Sequence, residues 1–377
     1  MNPETSPLFT PHICSESGVV SYILTERAAP VQEAFYFVND GSSADGRYLW
    51  FCCAHPPSGT AHHGRTLGVV DFETQTVHNF PETQFSEASP YVVPESGEVF
   101  WASNGRFWRR RPEPNATVHK IGELPAAWTG ARHVLRSATH LTRSADGREL
   151  FVDCGFELQW RFGSLSIDTG EMQPWWRFDR LYNHAQFSPT DPDMALFAQE
   201  NHRDPVTGLV HRITDRIRLI RRGEAPRPLF PNPTRATHEW WDRDGRHVWY
   251  IAWQNGQHSV WRAAIDTAEA EEVWPGVGWH AHDSGDGRAV VADHVDDPDG
   301  FHRGAASSVH FLNRQTGRSI CVARNPAQEE YAGRYYHIDP HPRFLGGGRY
   351  ISYTTTVLGN VDLALVPVDH LFEKTAR

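Results

Sequence analysis

The chain has 377 residues, with 36 Lys+Arg against 46 Asp+Glu and a formal net charge of -10. That balance argues against a general nucleic-acid or anionic-membrane surface, since both draw affinity from basic patches. No stretch approaches the ~20 apolar residues of a membrane-spanning helix. Five cysteines, including the adjacent Cys52–Cys53, suggest no disulfide framework and point to a reducing, cytoplasmic location, while 22 His and 14 Trp are the marked enrichments.

In chain order, the first residues, Met1 to Gly18, lack the basic and apolar regions of a secretory signal. A β-rich segment follows at 19–25. A short pattern then begins to recur: a polar-Asp-Gly-Arg turn, followed at once by a run of β-formers. It reads Ser43-Ala44-Asp45-Gly46-Arg47 before Tyr48-Leu49-Trp50-Phe51, then Pro94-Glu95-Ser96-Gly97 before Val99-Phe100-Trp101. It returns as Ser144-Ala145-Asp146-Gly147-Arg148 before Leu150-Phe151-Val152, and as Ser188-Pro189-Thr190-Asp191-Pro192 before Ala195-Leu196-Phe197. The last copies centre on Asp244-Gly245, Asp286-Gly287 and Gly347-Gly348. Asp-Gly supplies the positive-φ residues that a tight hairpin demands.

Turns near 45, 96, 146, 191, 244, 286 and 347 recur at a spacing of roughly 40–60 residues, the length of one four-stranded blade. The expectation is an all-β, seven-bladed β-propeller forming a single domain over 1–377. In each copy the residues before the turn form the innermost strand and those after it the second; segments such as 65–72 and 216–220 supply the third. Only two strands follow the last turn, at 350–355 and 361–367, so the N-terminal strand at about 19–25 is expected to complete blade seven and close the ring. Closure removes exposed sheet edges. A short C-terminal helix is expected near 371–376.

Counting six residues back from the Asp of each turn gives His140, His238 and His280 in blades three, five and six. Blade seven gives His341, counted from Gly347, and blade four gives His184, counted from Thr190; blades one and two carry Asn39 and Pro90. Five His at seven equivalent positions, against 22 in 377 overall, exceed what scattered imidazoles produce. The start of an innermost strand lies beside the central channel, at the mouth opposite the turns. Polar loops open on the same face: 54–64 with His62 and His63, 199–215 with Glu200, His202 and His211, and 294–304. Histidines, carboxylates and arginines therefore converge on one concave site.

Blades six and seven are the densest part, with Trp279-His280-Ala281-His282-Asp283 and Tyr336-His337-Ile338-Asp339-Pro340-His341. Strand alternation would put His337, Asp339 and His341 on one face, with His280 opposite. Two or three imidazoles and one carboxylate suit a divalent transition metal such as Mn, Fe, Co or Zn; a His–Asp hydrogen-bond network without metal is the alternative.

These residues are similar to those of oligogalacturonate lyases, seven-bladed propellers that cleave short pectin-derived uronides by β-elimination. The resemblance rests on His184-Ala185-Gln186-Phe187-Ser188-Pro189, Glu200, Asp215-Arg216-Ile217, Thr237-His238-Glu239-Trp240-Trp241, His280 ahead of Asp286-Gly287, and Pro340-His341-Pro342. The family's last-blade Gln-x-x-His-x-His aligns with Tyr336, Asp339 and His341, so a Gln and a His are replaced. The charge at the metal changes accordingly, and which uronic acid is cut stays open. The resemblance implies His238 as the base that removes the C5 proton and Arg216 as its supporting arginine. It implies His280, Asp339 and His341, with His337, around a divalent metal, Mn2+ foremost, and His184 and Glu200 on the sugar; His140 and His202 are further candidates for substrate contact. The implied partner is a small acidic oligosaccharide, with no nucleic acid and no membrane. A metal-dependent epimerase, isomerase or hydrolase, or a non-catalytic binding propeller, remain alternatives on the same fold. Neither a phosphate-cradling glycine loop nor a Gly-x-Ser-x-Gly elbow occurs.

Overall fold

The recurring turn forms for the reasons its residues supply. Asp45, Asp146 and Asp286 each accept a hydrogen bond from the serine hydroxyl two residues earlier, at 2.6 Å, and from the backbone N–H of the following arginine. The glycines beside them lie at φ between 71° and 76°, where a side chain is strained. Each turn thereby fixes the register of the hairpin that follows.

A computed structural model describes all residues except 57–62, 87–89, 131, 133, 135, 157–158, 205, 214, 255–256, 296–304, 328–337 and 377. Seven antiparallel sheets form the blades of a β-propeller. Blade one contains Val31–Glu33, Tyr48–Ala54, His63–Asp71 and Thr76–Ser86, and blade two runs from Tyr91–Val92 to His119–Glu123. Blade four begins with Tyr182–Phe187, blade five with Ala236–Trp241 and blade six with Ala281–Asp283, each followed outward by three more strands. The second strands are the most buried: every residue of Tyr48–Ala54 is inside. The core lies mostly between neighbouring blades. Trp240, Trp249 and Ile251 of blade five, for example, pack on Ala281, Val290 and Ala292 of blade six.

The ring closes as the sequence implies, with one addition. Val20–Leu24 pairs with Asp362–Pro367 of blade seven through Tyr22↔Leu365 and Ile23↔Ala364. A further strand, Phe9–Ile13, then pairs outside it, so blade seven has five strands. The C-terminal helix spans Val368–Lys374, slightly earlier than expected.

Three other departures shape the centre. Blade three has three regular strands, and its inner segment is held to the sheet by the isolated bridges Arg136↔Gly155 and Arg143↔Leu150 and by Thr139 donating to Asp153. In blade one the chain leaves its inner strand after Glu33 and enters the channel. There the Asn39 side-chain amide donates to Leu141 O at 2.7 Å, and Arg343 donates to Phe37 O at 2.6 Å. Phe37 is fully buried against Trp240, and its ring also contacts those of His238 and His280. The loop 199–215 forms a two-stranded hairpin, His202–Arg203 with Val210–His211.

Candidate functional site

Strand pairing in blades four and five slips beside the in-register histidine, between Asn183 and Gln186 and between Thr237 and Trp240. These irregularities put His184 at φ 54° and His238 at φ 52°; His341, two residues ahead of the strand Arg343–Leu345, sits at φ 46°. Left-handed backbone is costly for a residue with a Cβ and gathers at sites where a side chain must be re-aimed. Simple strand alternation, expected for Asp339 and His341, therefore does not apply: both precede the regular strand. His337 lies outside the described residues.

Five imidazoles form two groups of ring contacts that Tyr36 bridges. His140 and His184 are 4.8 Å apart between centroids, His238 and His280 4.3 Å, and His280 and His341 4.3 Å. Tyr36 stands among them, touching His140, His184, His280 and His341 at 4.8 to 6.0 Å. Its phenol is pushed well above its usual range by burial, with Glu239 next in effect.

Ligand atoms of His280, Asp339 and His341 all lie within 4.8 Å of one another, and the three residues are buried. Asp293 orders this corner. It accepts the His280 backbone N–H at 2.6 Å, the His280 Nδ1–H at 2.9 Å and the His341 backbone N–H at 3.2 Å. With Nδ1 protonated, the lone pair of His280 is on Nε2, the state a metal requires. A buried, preorganised pair of imidazoles with one carboxylate is a donor set that suits a divalent transition ion. A second cluster, Asp242, Asp244 and His247 at the blade-five turn, already holds a cation: Arg262 donates to Asp242 at 2.7 Å and reaches Asp244 at 3.3 Å.

On the other side, buried Arg216 is clamped between two acids. Nε donates to Glu239 Oε2 at 2.8 Å and Nη1 to Glu200 Oε1 at 2.7 Å. His184 leans on the same acids, 3.7 Å from Glu239 and 4.0 Å from Glu200. Burial pushes His184 and His238 well below the usual histidine range, and neighbouring imidazoles together with Arg216 add to it. Both rings are therefore neutral near neutral pH. Nδ1 of His238 is buried and makes no hydrogen bond among the described residues.

His140, His184, Glu200, Arg216, His238, His280, Asp339 and His341 are thus gathered in one region. His202 is placed in the blade-four hairpin, where its ring packs on Trp160 and His211. Sequence reasoning missed Tyr36, Asp293 and the partnership of Glu239 with Arg216. Asp293 carried a signal: it lies seven residues after the turn Asp286, as Asp153 does after Asp146, and Asp153 likewise binds the start of its own blade through Thr139. Tyr36 carried none, because its blade breaks the register.

No family model matches the chain. An oligogalacturonate lyase of Dickeya dadantii (strain 3937) is 24% identical over 216 residues, 54% of this chain and 54% of the relative. The chain spans about half the length of the curated relatives it matches. In structure it is similar to an oligogalacturonate lyase in complex with manganese, at TM-score 0.73 and 19% identity, with 96% of each chain covered. An oligogalacturonate lyase of Vibrio parahaemolyticus gives TM-score 0.74 and 18% identity over the same shares. The chain is thus similar to oligogalacturonate lyases in fold across nearly its whole length and in sequence over about half of it.

Proposed function

We propose that the channel mouth cleaves small uronic-acid oligosaccharides by β-elimination, with His238 as the base. One observation carries the reading: a neutral, half-buried imidazole whose Nδ1 makes no hydrogen bond among the described residues has its ring centroid 4.3 Å from that of His280 in the three-residue ligand set. β-Elimination removes the proton at C5, beside the carboxylate, and expels the oxygen at C4. His238 takes that proton, for which a neutral ring is needed. Arg216 remains charged despite burial because Glu200 and Glu239 flank it, and its field favours the neutral form of His238. Glu200 and His184, at the edge of the clamp, contact the sugar, with His140 beside them. His280, Asp339 and His341 would hold a divalent ion, Mn2+ foremost. When bound, such an ion neutralises a substrate carboxylate as charge develops next to it. The similarity to a manganese-containing lyase supports that choice.

The test is ultraviolet absorbance of the new C4–C5 double bond on a panel of uronide oligosaccharides, with Mn2+ and with EDTA. Turnover that needs the ion and disappears in His238→Ala, with metal content retained, is the expected result. No absorbance change on any uronide refutes the lyase reading, and activity retained in His238→Ala removes His238 as the base.

A further inference from the structure

Two tryptophans next to the proposed base have no part in the chemistry above. Trp279 precedes His280, and its ring lies 5.1 Å from that of His238. His258 is 5.4 Å from Trp279 and 4.2 Å from Trp253, and the two indoles are 6.2 Å apart. All three residues are half-buried. They come from two blades: Trp253 and His258 face each other across the hairpin of blade five, and Trp279 leads into blade six.

Core packing does not account for them. Trp249 and Ile251 lie on the same strand face as Trp253 and are buried within the cluster between blades five and six; Trp253 is the next residue of that face, beyond the cluster at the mouth end. Two buried indoles of the same cluster have satisfied N–H groups, Trp240 donating to Asp283 at 3.1 Å and Trp249 to Asp242 at 3.0 Å. Those of Trp253 and Trp279 make no hydrogen bond among the described residues. Trp279 is also held firmly. Its backbone N–H donates to Asp293 O at 2.9 Å, and Gly278 before it, at φ 125°, lets the chain pass where a Cβ would come within 3.0 Å of Ile251.

We propose that Trp253, His258 and Trp279 form a stacking subsite for a pyranose ring adjoining the one that His238 attacks. The C–H face of a sugar covers an indole plane, and its hydroxyls can accept the two indole N–H groups. A nucleobase would also stack, but the net charge of -10 disfavours the phosphates that come with it. The inference rests on the reading of the mouth as a uronide site, and it places the neighbouring sugar between blades five and six.

Binding and turnover separate the two claims. Tri-galacturonate is titrated calorimetrically into full-length His238→Ala protein, alone and combined with Trp253→Ala, Trp279→Ala or Trp279→Phe; the wild-type and single-Trp variants are assayed for turnover. Each alanine should weaken binding about tenfold, ~1.4 kcal/mol, and raise KM alike with kcat nearly unchanged. Trp279→Phe, which keeps a ring, should stay within about threefold. Wild-type turnover with unchanged affinity and KM in both alanine variants overturns the subsite and leaves the lyase reading intact. Weakened binding in those variants without any wild-type turnover upholds the subsite and removes the lyase reading. Failure of tri-galacturonate to bind overturns the subsite. Should Trp279→Ala fail to fold by circular dichroism, Trp253→Ala and Trp279→Phe still decide.

Discussion

The Asp293 carboxylate accepts three N–H groups, two from His280 and one from His341. It thereby sets the tautomer of one candidate ligand and the backbone position of another. An asparagine keeps the shape but turns one acceptor into a donor facing an N–H. Asp293→Asn should therefore lower divalent-metal affinity by about 10–100-fold, the usual cost of losing such a partner, while circular dichroism stays native. Metal analysis after equilibrium dialysis reads this directly, and unchanged affinity would remove Asp293 as the organiser. His238 gives a second prediction at this scale. Its φ of 52° strains any residue with a Cβ by about 1–2 kcal/mol. Among inactive variants, His238→Gly should unfold at higher urea than His238→Ala, by about 1 kcal/mol after allowing for glycine's greater unfolded-state entropy. The reverse order would mean that the bend at His238 stores no strain.

The strand Val20–Leu24 carries the closure of the ring. Ile23 is fully buried in the cluster of blades six and seven, and the Tyr353 hydroxyl meets Ser21 Oγ at 2.6 Å beneath it. Ile23→Ala should destabilise the protein by about 2–5 kcal/mol in urea unfolding. Thr10→Ala, on the exposed outer strand, should stay within about 0.5 kcal/mol. Equal effects would mean that closure does not depend on the inner strand. Val20–Leu24 was legible in the sequence because β-formers preceded the first turn and the last blade was one strand short. Phe9–Ile13 was not: its Thr-Pro-His stretch lacks alternation, and the strand forms because Val20–Leu24 offers an edge. The turns were legible because their chemistry is local. By the same logic the six-residue register found five histidines, since it counts along one blade. Tyr36 and the Glu239–Arg216–Glu200 clamp depend on where separate blades meet, which no count along one chain segment reveals. Strand alternation misjudged His341 because tertiary contacts hold it in a conformation that regular strands exclude.

Across the whole molecule, buried ionisable groups make stability depend on pH in two opposing directions. Burial pushes His184 well below its usual range, so its contribution is lost as pH falls below about 6.5. Asp153 and Asp362 act the other way: burial raises each from 3.8 to about 6 against the pull of its partners, Thr139 and Arg27. For an acid with a raised folded pKa, the stabilising contribution is complete below the unfolded value and disappears as pH climbs through the folded one. A rise of that size corresponds to roughly 3 kcal/mol per group, lost between pH ~4 and ~6. Asp153 is the cleaner probe, because Thr139 donates to it through both its backbone N–H and its hydroxyl, each at 2.6 Å. Asparagine can still accept from the N–H and donate to the hydroxyl oxygen, so Asp153→Asn removes the charge while retaining the contact. Relative to wild type, Asp153→Asn should therefore gain stability between pH ~4 and pH ~7.5, by up to roughly 3 kcal/mol. Urea midpoints of both proteins at the two pH values measure the difference, in which the histidine contribution cancels. A constant difference would show that the hydrogen bonds from Thr139 fully offset the burial of that carboxylate.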